Sequence, residues 1–486
     1  MEREEDRVET LLADGLPDPA GEAPPADESR HSDSLDEEDN TLKPRFIRKV
    51  TEALDADDQE RVYDLVEPLH PADIADLFEL IGGEYRAPLA RAINDLLGSE
   101  VMAEMNDWVR DDLVEELEPE EVAELAEQME TDDAVAMIED LDEEDQQAVL
   151  AEMEPEDRAA IESALSFPEE SAGRLMSRDF IAVPEHLTVG DLIDYMREGR
   201  DLATEFWEVF IVDPKHRPVG TCMLSWILRA PRHVALSDVM KRDQTLIPVT
   251  MDQEEVALRF QKYALISAAV VDESGRLVGQ ITVDDVVHII QEEASEDILR
   301  LSGAGDGDIN EPILLTVRTR LAWLVVNLGT AIIASSVVGM FQGAIARFAL
   351  LAVLMPIVSG MGGNAGTQTL AVVVRAIATN QLTSSNTIRM ILRELRIATA
   401  NGLSLGAMIG IGVGLIFANP HLGAVIAAAM VINNLVAGLA GILVPVALDR
   451  LRVDPAVSSA VFVTMATDVM GFFSFLGLAV LTGLTG

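Results

Sequence analysis

Two kinds of apolar pattern divide the chain. Apolar residues run almost unbroken in five stretches, over residues 321–341, 348–374, 397–418, 422–448 and 456–484. Each is long enough for a helix that crosses the hydrocarbon layer, which takes roughly 20 residues. Gly and Ala recur in them, which permits close helix packing. Upstream the pattern is finer. Apolar anchors return every 12 residues at Met105, Leu117, Met129, Leu141, Met153 and Leu165. After several anchors an acidic or Pro turn leads into a short helical pattern, as in LEPEEVAELAEQM and MEPEDRAAIESAL, and an earlier copy, LHPADIADLFELI, begins at Leu69. Pro119 and Pro155 suit a first helical turn, and the neighbouring acids suit the positive end of the helix dipole. The pattern predicts a superhelical, solenoid-like α-domain over residues 41–167. Over residues 168–291, β-rich runs (FIAV, EVFIV, LIPV, AAVV, LVGQITV) alternate with helical stretches in two similar α/β units. A helix over residues 284–305 then connects to a five-helix transmembrane part over residues 312–486.

Charge sharpens this multidomain picture. The net charge is −49, yet the mean hydropathy is +0.20, so charged and apolar residues must be segregated. From Gly305 to Gly486 there are nine arginines, no lysine and seven acids. Nearly all the negative charge therefore lies upstream. Residues 1–40 carry no signal-peptide core and read as a disordered, self-repelling acidic tail. Only five lysines stand against thirty arginines, and acid excess with few lysines also fits a halophilic solvated surface. The lone Cys222 excludes an intrachain disulfide and fits a reducing compartment. Arg318, Arg320, Arg375, Arg389, Arg393, Arg396, Arg450 and Arg452 fall on one side of the five spans and Arg347 on the other. The excess predicts a multi-pass cell-membrane protein with a cytosolic N-terminal domain and its C-terminus outside.

Asp468, in VFVTMATDVMGFF, is the one carboxylate within the five stretches as drawn. A carboxylate at that depth is costly and should face a bundle interior, a water-filled path or a cation; the alternative is an Asp hydrogen-bonded to a neighbouring helix. Hard ions such as Mg2+ take oxygen ligands and keep several waters. The second stretch carries Pro356 and then SGMGGNAGTQT. It reads as a broken helix whose carbonyls turn toward a cavity, with Asn364, Thr367, Gln368 and Thr369 adding neutral oxygens. The alternative is a packing motif in which the glycines let helices touch. In the connecting helix Glu293, Glu296 and Asp297 are helical neighbours whose repulsion a divalent cation would relieve. There is no nucleophile–base constellation, so no enzyme chemistry is expected.

The two α/β units look like a tandem CBS pair. The second has the Thr-x-x-Asp signature as Thr282 and Asp285, which implies a nucleotide such as ATP; the first has Ser225 but Leu228 in place of the acid. The other reading of the pair is purely structural. With GMGGNAGTQTLAVVVRAIAT in the second stretch, VDPAVSS before the fifth and TDVMGF within it, the whole resembles the MgtE family of magnesium channels. The resemblance covers nearly the whole chain after about residue 41. It implies a homodimer in the lipid bilayer with the pore on its axis, lined by the second and fifth spans. Asp468 would be the central pore carboxylate, Gly360 would give backbone oxygens, and the backbone near Thr464 would lie close by. Ala371 and Ala460 replace residues that are often polar in that family. The family further implies Mg2+ uptake gated by cytosolic Mg2+ on the acidic helical domain, the CBS pair and the connecting, or plug, helix, with Asp454 at the entry of the fifth span as a ligand opposite Glu293, Glu296 and Asp297, and with Glu100, Asp132 and Asp285 sharing further ions. Competing readings are a secondary carrier of Mn2+, Co2+ or Mg2+ and a CBS-regulated membrane sensor that transports nothing.

Overall fold

The computed structural model describes residues 34–36, 41–115, 117–139, 141–198, 206–302, 311–383, 385–456 and 459–485, the side chains of Asp297 and Ser459 excepted. Apart from residues 34–36, the expected tail over 1–40 lies outside the described residues. Leu35 forms an isolated β-bridge with Leu42, and both are buried in the helical core. Two compact units divide between Val286 and Val287.

The first unit opens with short helices from Pro44 to Leu165. Pro71, Pro119 and Pro155 each stand at a first helical position, where the missing N–H costs nothing. Glu121 reaches back to accept from the Glu118 amide at 3.0 Å, half of a capping box. The 12-residue anchors all meet in one core, Met105 and Met153 buried and Leu117, Met129, Leu141 and Leu165 packed against it. One short helix and its turn take up each period, so the same apolar position returns to the core at every step.

The rest of this unit holds two three-stranded sheets of matching topology. In the first, β1 (Ala182–Pro184) runs parallel to β2 (Glu208–Val212), which pairs antiparallel with β3 (Pro218–Met223). In the second, β4 (Leu246–Pro248), β5 (Ser267–Val271) and β6 (Leu277–Thr282) repeat the order. The register shifts at the same place in each, between Ile211 and Val212 and between Val270 and Val271. EVFIV and SAAVV are the buried central strands, as near-continuous apolar runs require. Cys222 is buried on β3, and burial pushes its thiol up to about 11.

Among its described residues the second unit has five helices long and apolar enough to cross a membrane: Ile313–Met340, Leu350–Ala378, Thr387–Ile416, Pro420–Arg450 and Ser459–Leu481. Two expectations change. The second span is not broken: one helix passes through Pro356 and the glycine run. Pro356 lies near the helix start, where it removes only the bond that its N–H would give to the Ala352 carbonyl. The third span begins at Thr387, well before residue 397, because TIRMILRELR keeps the helical pattern while its arginines lower the hydropathy. It therefore brings Glu394 into the span.

The glycines of the second span divide by face. A Cβ on Gly362 would lie 2.0 Å from Asn433 Nδ2, and one on Gly366 would lie 2.5 Å from Val463. These two are contact glycines, the packing reading. A Cβ on Gly360 would meet nothing within 4 Å. The third and fourth spans touch backbone to backbone, a Cβ on Gly410 lying 2.7 Å from the Gly423 carbonyl. Gly362→Val is expected to destabilise the membrane unit by about 1–3 kcal/mol, the usual range for overpacking, whereas Gly360→Ala should leave stability within about 0.5 kcal/mol. Thermal aggregation of the detergent-solubilised protein separates the two. Equal loss in both variants would refute this division of faces.

Candidate permeation and regulatory sites

The second and fifth spans meet at Ser359 and Asp468, where the Ser359 hydroxyl donates to Asp468 Oδ1. Asp468 and Thr464, one turn apart, are both partly exposed. Gly360 and Asn364 are exposed, and Thr367, on the same helical face, is half-buried. The Thr367 hydroxyl donates within its own helix, 3.1 Å from the carbonyls of Gly363 and of Asn364. Ala371 continues that face and is exposed, and Ala460 is half-buried one turn before Thr464. Backbone and side-chain oxygens thus lie along one partly open, polar strip of a membrane-spanning unit. Gln368, exposed one turn beyond Asn364, also lines a recess against the third and fourth spans.

A buried polar layer backs the strip. Asn433 of the fourth span is fully buried, and its Nδ2 donates to the Val358 carbonyl at 2.8 Å. It occupies the space left by Gly362 and Gly471, where a Cβ would approach its Nδ2 to 2.0 and 2.8 Å. Thr467 is fully buried and donates to the Thr464 carbonyl at 2.9 Å. Sequence reading missed Ser359, Asn433 and Thr467. The Asn433–Asn434 pair inside an apolar run was the available signal, because buried amides need partners.

The connecting helix spans Val283–Ser302. From Val287 onward it belongs to the membrane unit. Arg300 pairs with Glu296 one turn back and donates to Asp454 Oδ2 at 2.8 Å. Leu301 packs against Leu370, Val374, Ala456 and Val463. Asp454 Oδ1 also accepts from the Ala456 amide at 2.7 Å. Asp454 and Glu296 thus share one arginine, and the i, i+4 spacing of Glu296 and Arg300 is the part of this arrangement visible in the sequence. Glu293 is half-buried, and the Asp297 side chain lies outside the described residues.

In the first unit the structure brings Asp132 and Asp285 together. Burial holds the Asp132 carboxyl well above its usual range, with Asp285, Asp133 and Glu130 adding repulsion. Its Oδ1 is shielded from solvent and has no hydrogen-bond partner. Burial also raises Glu130, with Asp285, Asp179 and Asp133 pushing the same way against a Ser177 hydrogen bond. Burial raises Asp179, again opposed by Ser177. Glu100 is exposed on the short helix Ser99–Ala103 and is not among the groups acting on Asp132. Among the described residues no three His, Cys, Asp or Glu groups stand close enough to form a metal cage.

Thr282 and Asp285 bond to each other. Asp285 Oδ2 accepts from the Thr282 amide at 3.1 Å and from its hydroxyl at 2.6 Å, as an N-terminal helix cap does. Thr188 and Asp191 make the same pair at another helix start, so the arrangement is a capping device whether or not a nucleotide visits. A recess of about 130 Å³ lies between the two sheets, lined by residues that include Thr221, Met223 and Lys241 of the first half and Ile266, Ser267 and Ala269 of the second.

Three family models match the chain: a divalent cation transporter model over residues 355–478, an MgtE intracellular N domain over 69–170, and CBS domains over 172–230 and 236–292. The magnesium transporter MgtE of Thermus thermophilus is 32% identical over 325 residues, covering 66% of this chain and 71% of that protein. The magnesium transporter MgtE of Enterococcus faecalis is 31% identical over 319 residues, 66% of this chain and 70% of that protein. Among solved structures, the cytosolic domain of the Mg2+ channel MgtE in complex with ATP is 27% identical, with a TM-score of 0.46, covering 50% of this chain and 99% of that chain.

Proposed function

Since the chain belongs to the MgtE family of magnesium transporters, we propose that it conducts Mg2+ along the strip of Asp468, Gly360, Thr464, Asn364 and Thr367. The observation that carries this reading is Asp468, a carboxylate in a spanning helix, partly exposed and directly bonded to the second span. A lone acid among neutral oxygens favours a cation, and a hydrated Mg2+ needs few direct protein ligands. The strip is half open in a single chain, and open polar surface is costly in lipid. Closure by a second copy about a two-fold axis follows, which makes the working form a homodimer.

In this proposal the helical domain, the CBS pair and the connecting helix sense cytosolic Mg2+, with the N-terminal domain inside the cell and the C-terminus outside. The unpartnered Asp132 Oδ1 among Asp285, Asp133 and Glu130 supports the sensing role. Glu293, Glu296 and Asp297 would complete the sensor on the connecting helix, and Arg300 would hold the closed end at Asp454. Nucleotide binding rests on the Thr282 and Asp285 signature alone and is assigned no step in conduction.

The test is divalent flux into proteoliposomes, ion by ion. Mg2+ entry driven by its own gradient is expected. Absence of flux for every divalent ion would favour a sensor, and flux that needs an opposing Na+ or H+ gradient would favour a secondary carrier.

A further inference from the structure

The recess lined by Gln368 lies between the second, third and fourth spans. Its volume is about 220 Å³, and Thr369, Glu394, Asn401, Asn434 and Arg393 also line it. That is room for several waters at roughly 30 Å³ each. Glu394 is 5% exposed within the third span. Its partner is Arg393, with Nη1 at 2.8 Å from Oε1, but the Arg393 side chain is 61% exposed. Residues adjacent in a helix do not face one another, so this arginine reaches sideways to its acid and can turn to water at small cost. Asn434 is 1% exposed. Its Nδ2 donates to the Met430 carbonyl of its own helix at 2.9 Å, and its Oδ1 is buried without a partner.

We propose that this recess is a second cation site, distinct from the strip, that takes a hard alkali cation of the Na+ class. Glu394 supplies the charge. Asn434 Oδ1 and the side-chain oxygens of Gln368, Thr369 and Asn401 supply the neutral ligands. Arg393 is the built-in counter-ion that the cation displaces. Charge decides the class: one carboxylate balances one positive charge, whereas a divalent ion in place of Arg393 would leave a net positive charge in a poorly screened place. Mg2+ also gives up its water reluctantly. A bound cation would tie the second, third and fourth spans together, and the buried oxygen of Asn434 would gain the partner that buried polar atoms require.

The test uses the full chain in nanodiscs at constant ionic strength with N-methyl-D-glucamine as the inert cation. Thermal stability is measured while NaCl, KCl or MgCl2 replaces it. A saturable rise with Na+ is expected, lost in Glu394→Gln. Arg393→Ala should bind Na+ more tightly, by about threefold to fivefold, the size of an ion pair with one exposed member. That gain keeps the test decisive if Glu394→Gln fails to fold. A rise specific to Mg2+ would overturn the alkali assignment. No ion-specific rise, or unchanged Na+ affinity in Arg393→Ala, would show a water-filled packing recess and overturn the proposal. Because the readout is stability, its failure leaves the flux test of Asp468 untouched.

Discussion

Asp468→Ala or Asp468→Asn protein, reconstituted in liposomes, is expected to lose Mg2+ flux by about 10- to 100-fold while still assembling. The size follows from the charge. Hydrogen bonds and contacts to an ionised group are worth about 1.5–3 kcal/mol, and every 1.4 kcal/mol is a factor of about ten. Asp468 supplies the only formal charge on the strip, since Gly360, Thr464, Asn364 and Thr367 offer neutral oxygens. Assembly should survive, because removing an ionised group from a spanning helix relieves a burial cost of about 2.5–3.5 kcal/mol. The packing that holds this region lies at Asn433, Gly362 and Gly471. Ser359→Ala removes the hydroxyl that bonds Asp468 and should reduce flux less than loss of the charge does. Wild-type flux from well-folded Asp468→Ala protein would remove this residue from the path.

The second large effect is expected in the acidic cluster of the soluble unit. Asp132, Glu130 and Asp179 all have carboxyls raised above their usual range, burial being the first cause in each. The folded unit therefore binds protons more readily than the unfolded chain does. The penalty on the ionised groups is present in full at neutral pH. It is relieved as pH falls through their raised values toward the ordinary carboxylate range, so stability should rise on mild acidification, opposite to a salt-bridged carboxylate. A divalent cation at neutral pH should give the same gain by supplying positive charge. Each kcal/mol recovered corresponds to about 2–4 °C in melting temperature, and about 5.5 kcal/mol would carry a two-state gate from 1:99 to 99:1. Asp132→Asn should stabilise the ion-free protein and blunt both the acid and the Mg2+ response. The measurement is limited proteolysis between the helical domain and the CBS pair, with Mg2+ titrated at constant multimolar KCl. Saturable protection in the wild type, lost in Asp132→Asn, is the expected outcome. Cleavage indifferent to Mg2+ would leave the acids as a salt adaptation, because a screened surface has no particular site.

The linear pattern alone determined the multidomain plan. Anchors every 12 residues can be read without a structure because each short helix returns one apolar side chain to the same core. The five spans are legible because hydrocarbon admits only long apolar helices. Asp468 is legible because a charge in such a run has no local excuse. What depends on distance through space was not legible. Pro356 reads as a break, yet the helix runs on, since Leu351 and Leu354 before it and Val358 after it pack into one core. Glu394 stands outside a span drawn by hydropathy and inside the one drawn by hydrogen bonds, because arginines on the same turns lower the average without ending the helix. That Gln368 also lines a recess against the third and fourth spans could not be read from its place in the helix. Asp454 acquired Arg300 from a helix more than a hundred residues away in sequence. Periodicity fixes which face of a helix is apolar, but only packing decides which neighbour that face meets, and so which acids receive an arginine and which are left for a cation.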